Sequence, residues 1–304
     1  TLYYRYRVNN ETAFGSWTSL GIYNVSNIAS PEHSHSHQWS FSWQDGEGIY
    51  QFKVEGVDCL GNKEVKDFDM ELGLDLTPPN STVTAIPSYW QHSAVFDVPY
   101  TAYDNVDLES IELWYKWRAN NASLWSPPFT YATDYVGGTN ISRAFSFSST
   151  LVRGEGIYEF YSIAIDSSGR SEQSKSVYEI EVGCDKTAPT SAVNPVSTYW
   201  HNEPITVTAS PSDSLSGVKD VTLYYYNSTD NNTWSGPFSF GICISSPWEW
   251  MFDFPNGTCY YQFYTISTDC ADNTEELPYF ADALCGYDNV LPESNVNPPQ
   301  YWQN

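Results

Sequence analysis

The side chains of this 304-residue chain that could do chemistry are carboxylates, thiols and glycan acceptors, and they recur at regular intervals. Asp58, Asp166 and Asp269 close apolar runs, Asp104 and Asp213 follow other apolar runs, and Asp75, Asp185 and Asp288 each stand a few residues before a proline. Carboxylates are hard oxygen ligands, so a set of them gathered at one place is what Ca²⁺ requires. Their other use is to accept hydrogen bonds from turn backbone amides. No dense Asp-x-Asp-x-Asp loop is present. The stretch HSHSH, with His33, His35 and His37, would set three imidazoles on one face of a strand, either a zinc or copper surface or a solvated polar segment.

Six cysteines accompany eight Asn-x-Ser/Thr triplets, at Asn10, Asn24, Asn80, Asn121, Asn140, Asn227, Asn231 and Asn256. Together they indicate an extracellular, disulfide-permissive chain carrying N-linked glycans. Such triplets also arise as by-products of Asn- and Ser-rich turns. Acidic residues outnumber basic ones 37 to 13, a formal charge of -24 that repels phosphates and excludes nucleic acid as a partner. No run of about 18 apolar residues could span a bilayer. There is no nucleophile elbow, no His-Glu-x-x-His and no phosphate loop, so the chain does not read as an enzyme. Aromatics make up 17% of the residues, enough either to fill cores or to stack on sugars.

The elements that position these groups follow from self-similarity. TLYYRY at Thr1 returns as ELWYKW at Glu112 and TLYYYN at Thr222, spacings of 111 and 110. GIYQFKVEGVDCLGN from Gly48 returns from Gly156 and Thr258, and Tyr-Trp recurs at Tyr89, Tyr199 and Tyr301. A unit of this length, with period-two stretches rich in Tyr, Val, Ile and Thr between Gly, Pro and Asn clusters, is all-β. In the third unit strands are expected near residues 191–198, 203–210, 219–227, 236–243, 247–254, 259–269 and 276–284. Seven strands per unit predict tandem immunoglobulin-like β-sandwich domains in a linear array. Tyr50, Tyr158 and Tyr261 stand two residues before Phe52, Phe160 and Phe263, as a strand-F tyrosine stands before a core cysteine; here phenylalanine takes the cysteine's place.

The repeated pattern D-x-T-x-P, Y-W, L-Y-Y and G-x-Y-x-F-Y-S-I-A-x-D-x-x-G-N-x-E resembles the tandem Ig-like repeats of very large archaeal and bacterial cell-surface proteins. That resemblance covers essentially the whole chain and implies an extracellular stalk, surface-layer or filament element. An adhesin or glycan-binding module using exposed aromatics is the second reading, and an accessory domain of a secreted enzyme the third. Residues 1–74 read as an incomplete domain lacking its first two strands, 75–184 and 185–287 as whole domains, and 288–304 as the first strand of a further repeat. Ser93 to Ile111 and Glu203 to Val221 carry the piece that residues 1–74 lack. Either the chain is a window on a longer array, or copies join head to tail with Leu291 to Asn304 donated to a neighbour. Partners are therefore copies of the same chain or flanking repeats.

The repeat alignment also proposes cysteine pairs. Cys59 and Cys270 occupy equivalent places after strand F, and Cys184 and Cys285 lie at unit boundaries. Cys184 with Cys270, Cys59 with a Cys285 of the adjoining unit, and the remaining Cys243 with Cys259 are the expected bonds, with free or otherwise paired thiols as the alternative. The same boundary geometry brings Asp75, Asp104 and Asp166 to one joint and Asp185, Asp213 and Asp269 to the next, as candidate calcium ligands.

Overall fold

A computed structural model describes residues 1–25 and 35–296. The first repeat has β1 (Leu2–Arg7), β2 (Thr18–Gly21), β3 (Gly48–Val54) and β4 (Met70–Leu74). The second has β5 (Asn80–Val83), β6 (Trp90–Gln91), β7 (Val95–Tyr103), β8 (Leu108–Arg118), β9 (Phe129–Tyr135), β10 (Asn140–Ser148), β11 (Gly156–Asp166) and β12 (Ile180–Cys184). The third has β13 (Trp200–His201), β14 (Ile205–Thr208), β15 (Val218–Ser228), β16 (Ser235–Cys243), β17 (Glu249–Phe252), β18 (Cys259–Asp269) and β19 (Ala283–Tyr287). Among the described residues the only helical piece is one 3-10 turn, Ser149–Leu151. Among the described residues no helix is long and apolar enough to cross a membrane. The chain divides into two compact units, Thr1–Tyr89 with Val95–Val182, and Trp90–Ala94 with Gly183–Asn304.

The period-two pattern becomes sheet faces. Along β7, Phe96, Val98, Tyr100 and Ala102 are buried while Val95, Asp97, Thr101 and Tyr103 are exposed, because successive side chains leave opposite faces. The sheet β10-β7-β5 packs on the sheet containing β12, β11, β8 and β9. Phe147 of β10 lies 4.8 Å from Phe160 and 5.1 Å from Tyr158 of β11, ring centre to ring centre. In the other unit β14 and β17 face the sheet β13-β19-β18-β15-β16, with Phe252 of β17 4.8 Å from Phe263 and 5.4 Å from Tyr261 of β18. The molecule is thus built of Ig-like β-sandwiches, and the phenylalanines at the cysteine positions fill the space between sheets, fully buried at Phe160 and Phe263. The first repeat carries a single sheet, β2-β1-β3-β4. Its inner residues Tyr4, Tyr50 and Phe52 are covered by Phe41, 5.2, 5.5 and 4.9 Å away, from a stretch without strand structure.

The strand-F tyrosines do what their position implies. The hydroxyls of Tyr50, Tyr158 and Tyr261 donate to the carbonyls of Gly46, Gly154 and Gly257, four residues back, at 2.7, 2.6 and 2.9 Å. Each ring is fully buried, so the bond spares a hydroxyl an unpaired interior and pins the turn that enters the strand.

Two strands differ from expectation. The one expected at 276–284 forms at Ala283–Tyr287, because Pro278 cannot donate to a ladder and Tyr279 and Phe280 face solvent. The one expected at 191–198 is reduced to bridges at Thr190 and Val193. Carboxylates do the work of the missing ladder there: Glu275 accepts from Ser191 N at 2.7 Å and Asp282 from Val193 N at 2.9 Å. Unforeseen, too, are the short parallel pairs in which Trp90 meets Gly183 and Trp200 meets Gly286. A Cβ at Gly183 would stand 2.1 Å from the Trp90 ring, and one at Gly286 2.5 Å from that of Trp200, so only glycine lets the indole lie on the strand.

Tyr158→Phe is expected to cost about 1 kcal/mol in chemical denaturation, one buried hydrogen bond. Phe160→Ala is expected to cost about 3–5 kcal/mol, the usual penalty of a large core cavity.

Candidate metal centres at the repeat boundaries

Three strands' ends converge on each centre. In the first unit, Asp75 follows β4, Asp104 follows β7 and Asp166 ends β11. One carboxylate oxygen from each lies within 4.8 Å of the others. In the second unit the equivalent Asp185, Asp213 and Asp269 converge within the same limit. These two triads are the only such groups of potential metal ligands among the described residues. Asp104, Asp166, Asp185 and Asp269 are at most 1% exposed, while Asp75 and Asp213 are half-buried.

Backbone donors orient each carboxylate. Asp104 Oδ2 accepts from Val106 N at 2.8 Å and Asp107 N at 2.9 Å. Asp166 Oδ1 accepts from the N–H of Ser168 and Arg170 at 2.9 and 2.8 Å and from the Ser168 hydroxyl at 2.7 Å. Asp75 Oδ1 accepts from Thr77 N at 3.2 Å. The second triad repeats the scheme: Asp213 Oδ2 takes Leu215 N and Gly217 N, Asp269 Oδ1 takes Ala271 N and Asn273 N, and Asp185 takes Thr187 N and Ser216 N. The incoming chain is tied to the strand-F turn by the same device in both. Arg170 Nε donates to Asp75 O, and Asn273 Nδ2 to Asp185 O, each at 2.9 Å. In Asp104, Asp166 and Asp213 the turn amides take one oxygen only, whereas both oxygens of Asp185 and of Asp269 accept hydrogen bonds, Asp269 Oδ2 from Asn273 Nδ2 at 2.8 Å.

What the amides leave over is informative. Asp104 Oδ1, Asp166 Oδ2 and Asp213 Oδ1 are buried and accept no hydrogen bond. Buried acceptors are nearly always satisfied, and bare carboxylate oxygens beside other carboxylates suit a hard cation. Burial and then the charges of Asp104 and Asp166 push the Asp75 carboxyl up to about 6. Burial likewise raises Asp104 and Asp185 above the usual carboxylate range.

The first repeat reaches into this region. Glu47, in the turn before β3, accepts from Thr77 Oγ1 at 3.1 Å and Asn105 Nδ2 at 2.6 Å. Those bonds hold its carboxyl below the usual range although burial opposes them. Glu11 accepts from Thr139 N at 2.9 Å and Thr139 Oγ1 at 3.1 Å, against Gly138, where a Cβ would come within 2.6 Å of Glu11 Oε1. Asn10 Nδ2 donates to Asp107 Oδ1, so the nitrogen that a glycan would occupy is engaged. Asn24, Asn80, Asn121, Asn140, Asn231 and Asn256 are exposed, and Asn227 is half-buried.

Other expected sites are not assembled. Asp58 repeats the turn of Asp166, accepting from Leu60 N and Asn62 N, and Asp288 accepts from Val290 N, but both are exposed and neither joins a triad. His33 lies outside the described residues; His35 is exposed and His37 stacks on Tyr23 at 4.2 Å.

Neither intrachain pairing, Cys184 with Cys270 nor Cys243 with Cys259, is formed: no two of the six lie at disulfide distance within the chain. Side-chain direction explains it. Asp185 and Asp269 converge, whereas Cys184 ends β12 with its side chain buried and Cys270 stands in the turn after β18, exposed. Cys243 lies at the level of Ser267 across β15, whereas Cys259 begins β18. Eight residues of strand, about 27 Å, separate those levels. Cys285 stands opposite Tyr261 inside the third core and is fully buried, its thiol pushed up to about 12 by burial, while Cys59 is exposed. The Trp–Gly contacts also show that Cys184 corresponds to Tyr287 and Cys285 to Val182, a two-residue offset invisible in the sequence.

Sequence reasoning missed Glu172 and Glu179. Glu172 accepts from Ser81 N and Oγ and Ala164 N, and Glu179 from Val83 N and Ser162 N, fastening the first strand of the sandwich to strand F. The glutamate that closes the repeated D-x-x-G-N-x-E pattern was the available signal.

Comparison with protein-family models and with curated protein sequences gives no match. Among solved structures, the chain is similar to the FN1-FN3 domains of chicken CNTN1, with 11% identity over 79% of this chain and 77% of that one and a TM-score of 0.31. It is also similar to Salmonella alpha-2-macroglobulin reacted with methylamine, with 11% identity over 92% of this chain and 21% of that one, TM-score 0.25. Native alpha-2-macroglobulin from Escherichia coli, spanning domains MG0-NIE-MG1, gives 8% identity over 79% and 83%, TM-score 0.21.

The raised Asp75 predicts a pH effect in chelator-treated protein. An unfolded aspartate titrates near pH 4, so between about 4 and 6 the folded chain keeps a proton that the unfolded chain has lost. Stability therefore falls as pH rises through that window and is flat above it. Thermal midpoints of the unmodified chain should decline relative to Asp75→Asn from pH 4 to 6; parallel curves would contradict the assignment.

Proposed function

We propose that this chain is an extracellular structural element, a length of stalk, surface layer or filament, in which Ig-like domains are held at fixed spacing. The observation that carries the reading is the polar clamp of Asn10, Glu11 and Glu47 on Asp107, Thr139, Thr77 and Asn105. Bonds at several separate points resist hinge motion where one would leave a pivot. Spacing through disulfides is replaced by spacing through carboxylates. The resemblance of the repeat pattern to archaeal and bacterial surface proteins supports a cell-surface place in such an organism. Its partners are flanking repeats or copies of the chain.

The tryptophans give less support to a glycan-binding role. Among the described residues only Trp43 and Trp200 are more than a third exposed, at 39% and 53%, and Trp200 is spread over Gly286. Trp17 lies under Arg5 and Lys53, and Trp125 under Arg118, so their faces are covered by cations. No row of open indoles is present among the described residues.

Electron micrographs of native material should show linear arrays with a regular axial repeat; dispersed globules would remove the reading. Glycopeptide mapping should find Asn121, Asn231 and Asn256 carrying glycan and Asn10 bare. Unmodified asparagine at every triplet would argue against the extracellular assignment.

A further inference from the structure

We propose that the two aspartate triads each bind one Ca²⁺, Asp75, Asp104 and Asp166 holding the first and Asp185, Asp213 and Asp269 the second. Proximity of carboxylates alone would not carry this. The second observation is that Asp104 and Asp166, 1% and 0% exposed, each keep an oxygen with no donor while the other oxygen is fully engaged by backbone. Turn amides have thus oriented each carboxylate and left one face of it for something else. Asn105 Oδ1, next in the chain, is likewise buried and unbonded, its Nδ2 being given to Glu47.

The nearest basic group does not fill the role. Arg170 spends Nε on the backbone carbonyl of Asp75, not on a carboxylate oxygen. At the equivalent place the second triad has Asn273, whose Nδ2 donates to both Asp185 O and Asp269 Oδ2, and there the bare buried oxygen is Asp213 Oδ1.

The chemistry selects the class of ion. All the donors are oxygen, which disfavours zinc and copper in any site lacking nitrogen or sulfur. Ligand oxygens across a Ca²⁺ stand up to about 5 Å apart, twice a bond of 2.3–2.6 Å, whereas Mg²⁺ holds them near 4 Å and demands octahedral order. Carboxylate oxygens that all lie within 4.8 Å of one another are close enough for one such ion to bridge. Three carboxylates with water completing the shell place the affinity with extracellular modules, Kd on the order of 10⁻⁴ to 10⁻³ M.

Binding has a structural consequence, which rests on the spacer reading above. Asp75 belongs to the segment entering the second repeat, and Thr77, two residues on, is bonded to Glu47 of the first. A cation that fixes Asp75 to Asp104 and Asp166 fixes the entering segment to two turns of the following sandwich.

Isothermal titration of the full chain with CaCl₂ after chelator treatment tests the assignment. Two ions per chain are expected, one lost in Asp104→Asn and the other in Asp213→Asn, with MgCl₂ at least tenfold weaker. Calcium should also raise the thermal midpoint of the unmodified chain. No calcium heat and no rise in midpoint at millimolar Ca²⁺ in the unmodified chain would overturn the proposal without reference to how the variants fold, and would mean that protons satisfy the triads. Equal binding in both variants would overturn the ligand assignment. Micrographs of globules from a chain that binds two ions would remove the spacer reading and leave the cation sites standing.

Discussion

Carboxylates buried against one another where one repeat enters the next are the constraint on which the rest depends. A sandwich core of Tyr, Phe and Val holds itself together by apolar burial and has no need of charge. Asp104, Asp166, Asp185 and Asp269 are nevertheless almost inaccessible, in a chain with few bases to pair with them. Burying such groups costs free energy that hydrogen-bond donors help to offset. The turns after β7 and β11 provide the donors, and their geometry follows from that duty.

The same logic extends along each sandwich. Glu172 and Glu179, and in the third repeat Glu275 and Asp282, accept backbone N–H groups that the short first strand cannot pair in a ladder. Lys175 lies 3.1 Å from Glu172 and 2.6 Å from Glu179 and offsets the charge. Acidity in this protein is therefore partly internal: side chains substitute for β-ladder bonds, and the segment linking two repeats is fastened at several points. Glu47, Glu11 and Asn10 continue that fastening from the preceding repeat, so the boundary is a set of directional bonds and not a greasy contact that could slide.

Much of this was legible because three copies of one unit lie side by side in the sequence. Repetition placed the sandwich strands, the strand-F tyrosines and the six aspartates that converge, since equivalent residues in equivalent folds occupy equivalent ends. It failed where the answer depends on side-chain direction or on a local slip. Cys184 and Cys270 sit beside residues that do meet, but one ends a strand with a buried side chain and the other stands exposed in a turn. Cys184 and Cys285 look equivalent until Trp90 and Trp200 reveal a two-residue offset. The strand at Ala283–Tyr287 was placed too early because Leu277, Tyr279 and Phe280 continue an apolar pattern that Pro278 prevents from pairing. Glu172 and Glu179 carried no visible mark beyond a recurring glutamate, because burial of a carboxylate cannot be read from its neighbours in sequence.

The central claim is that side chains of one repeat hold the next in a fixed attitude. It is tested most directly by the distance distribution between spin labels on unnatural side chains at Ser19 of β2 and Thr101 of β7, both exposed and on paired strands. The account predicts one narrow peak in calcium-containing buffer, broadened when Glu11 and Glu47 are both replaced by alanine. A broad or multiple distribution in the unmodified chain would contradict it.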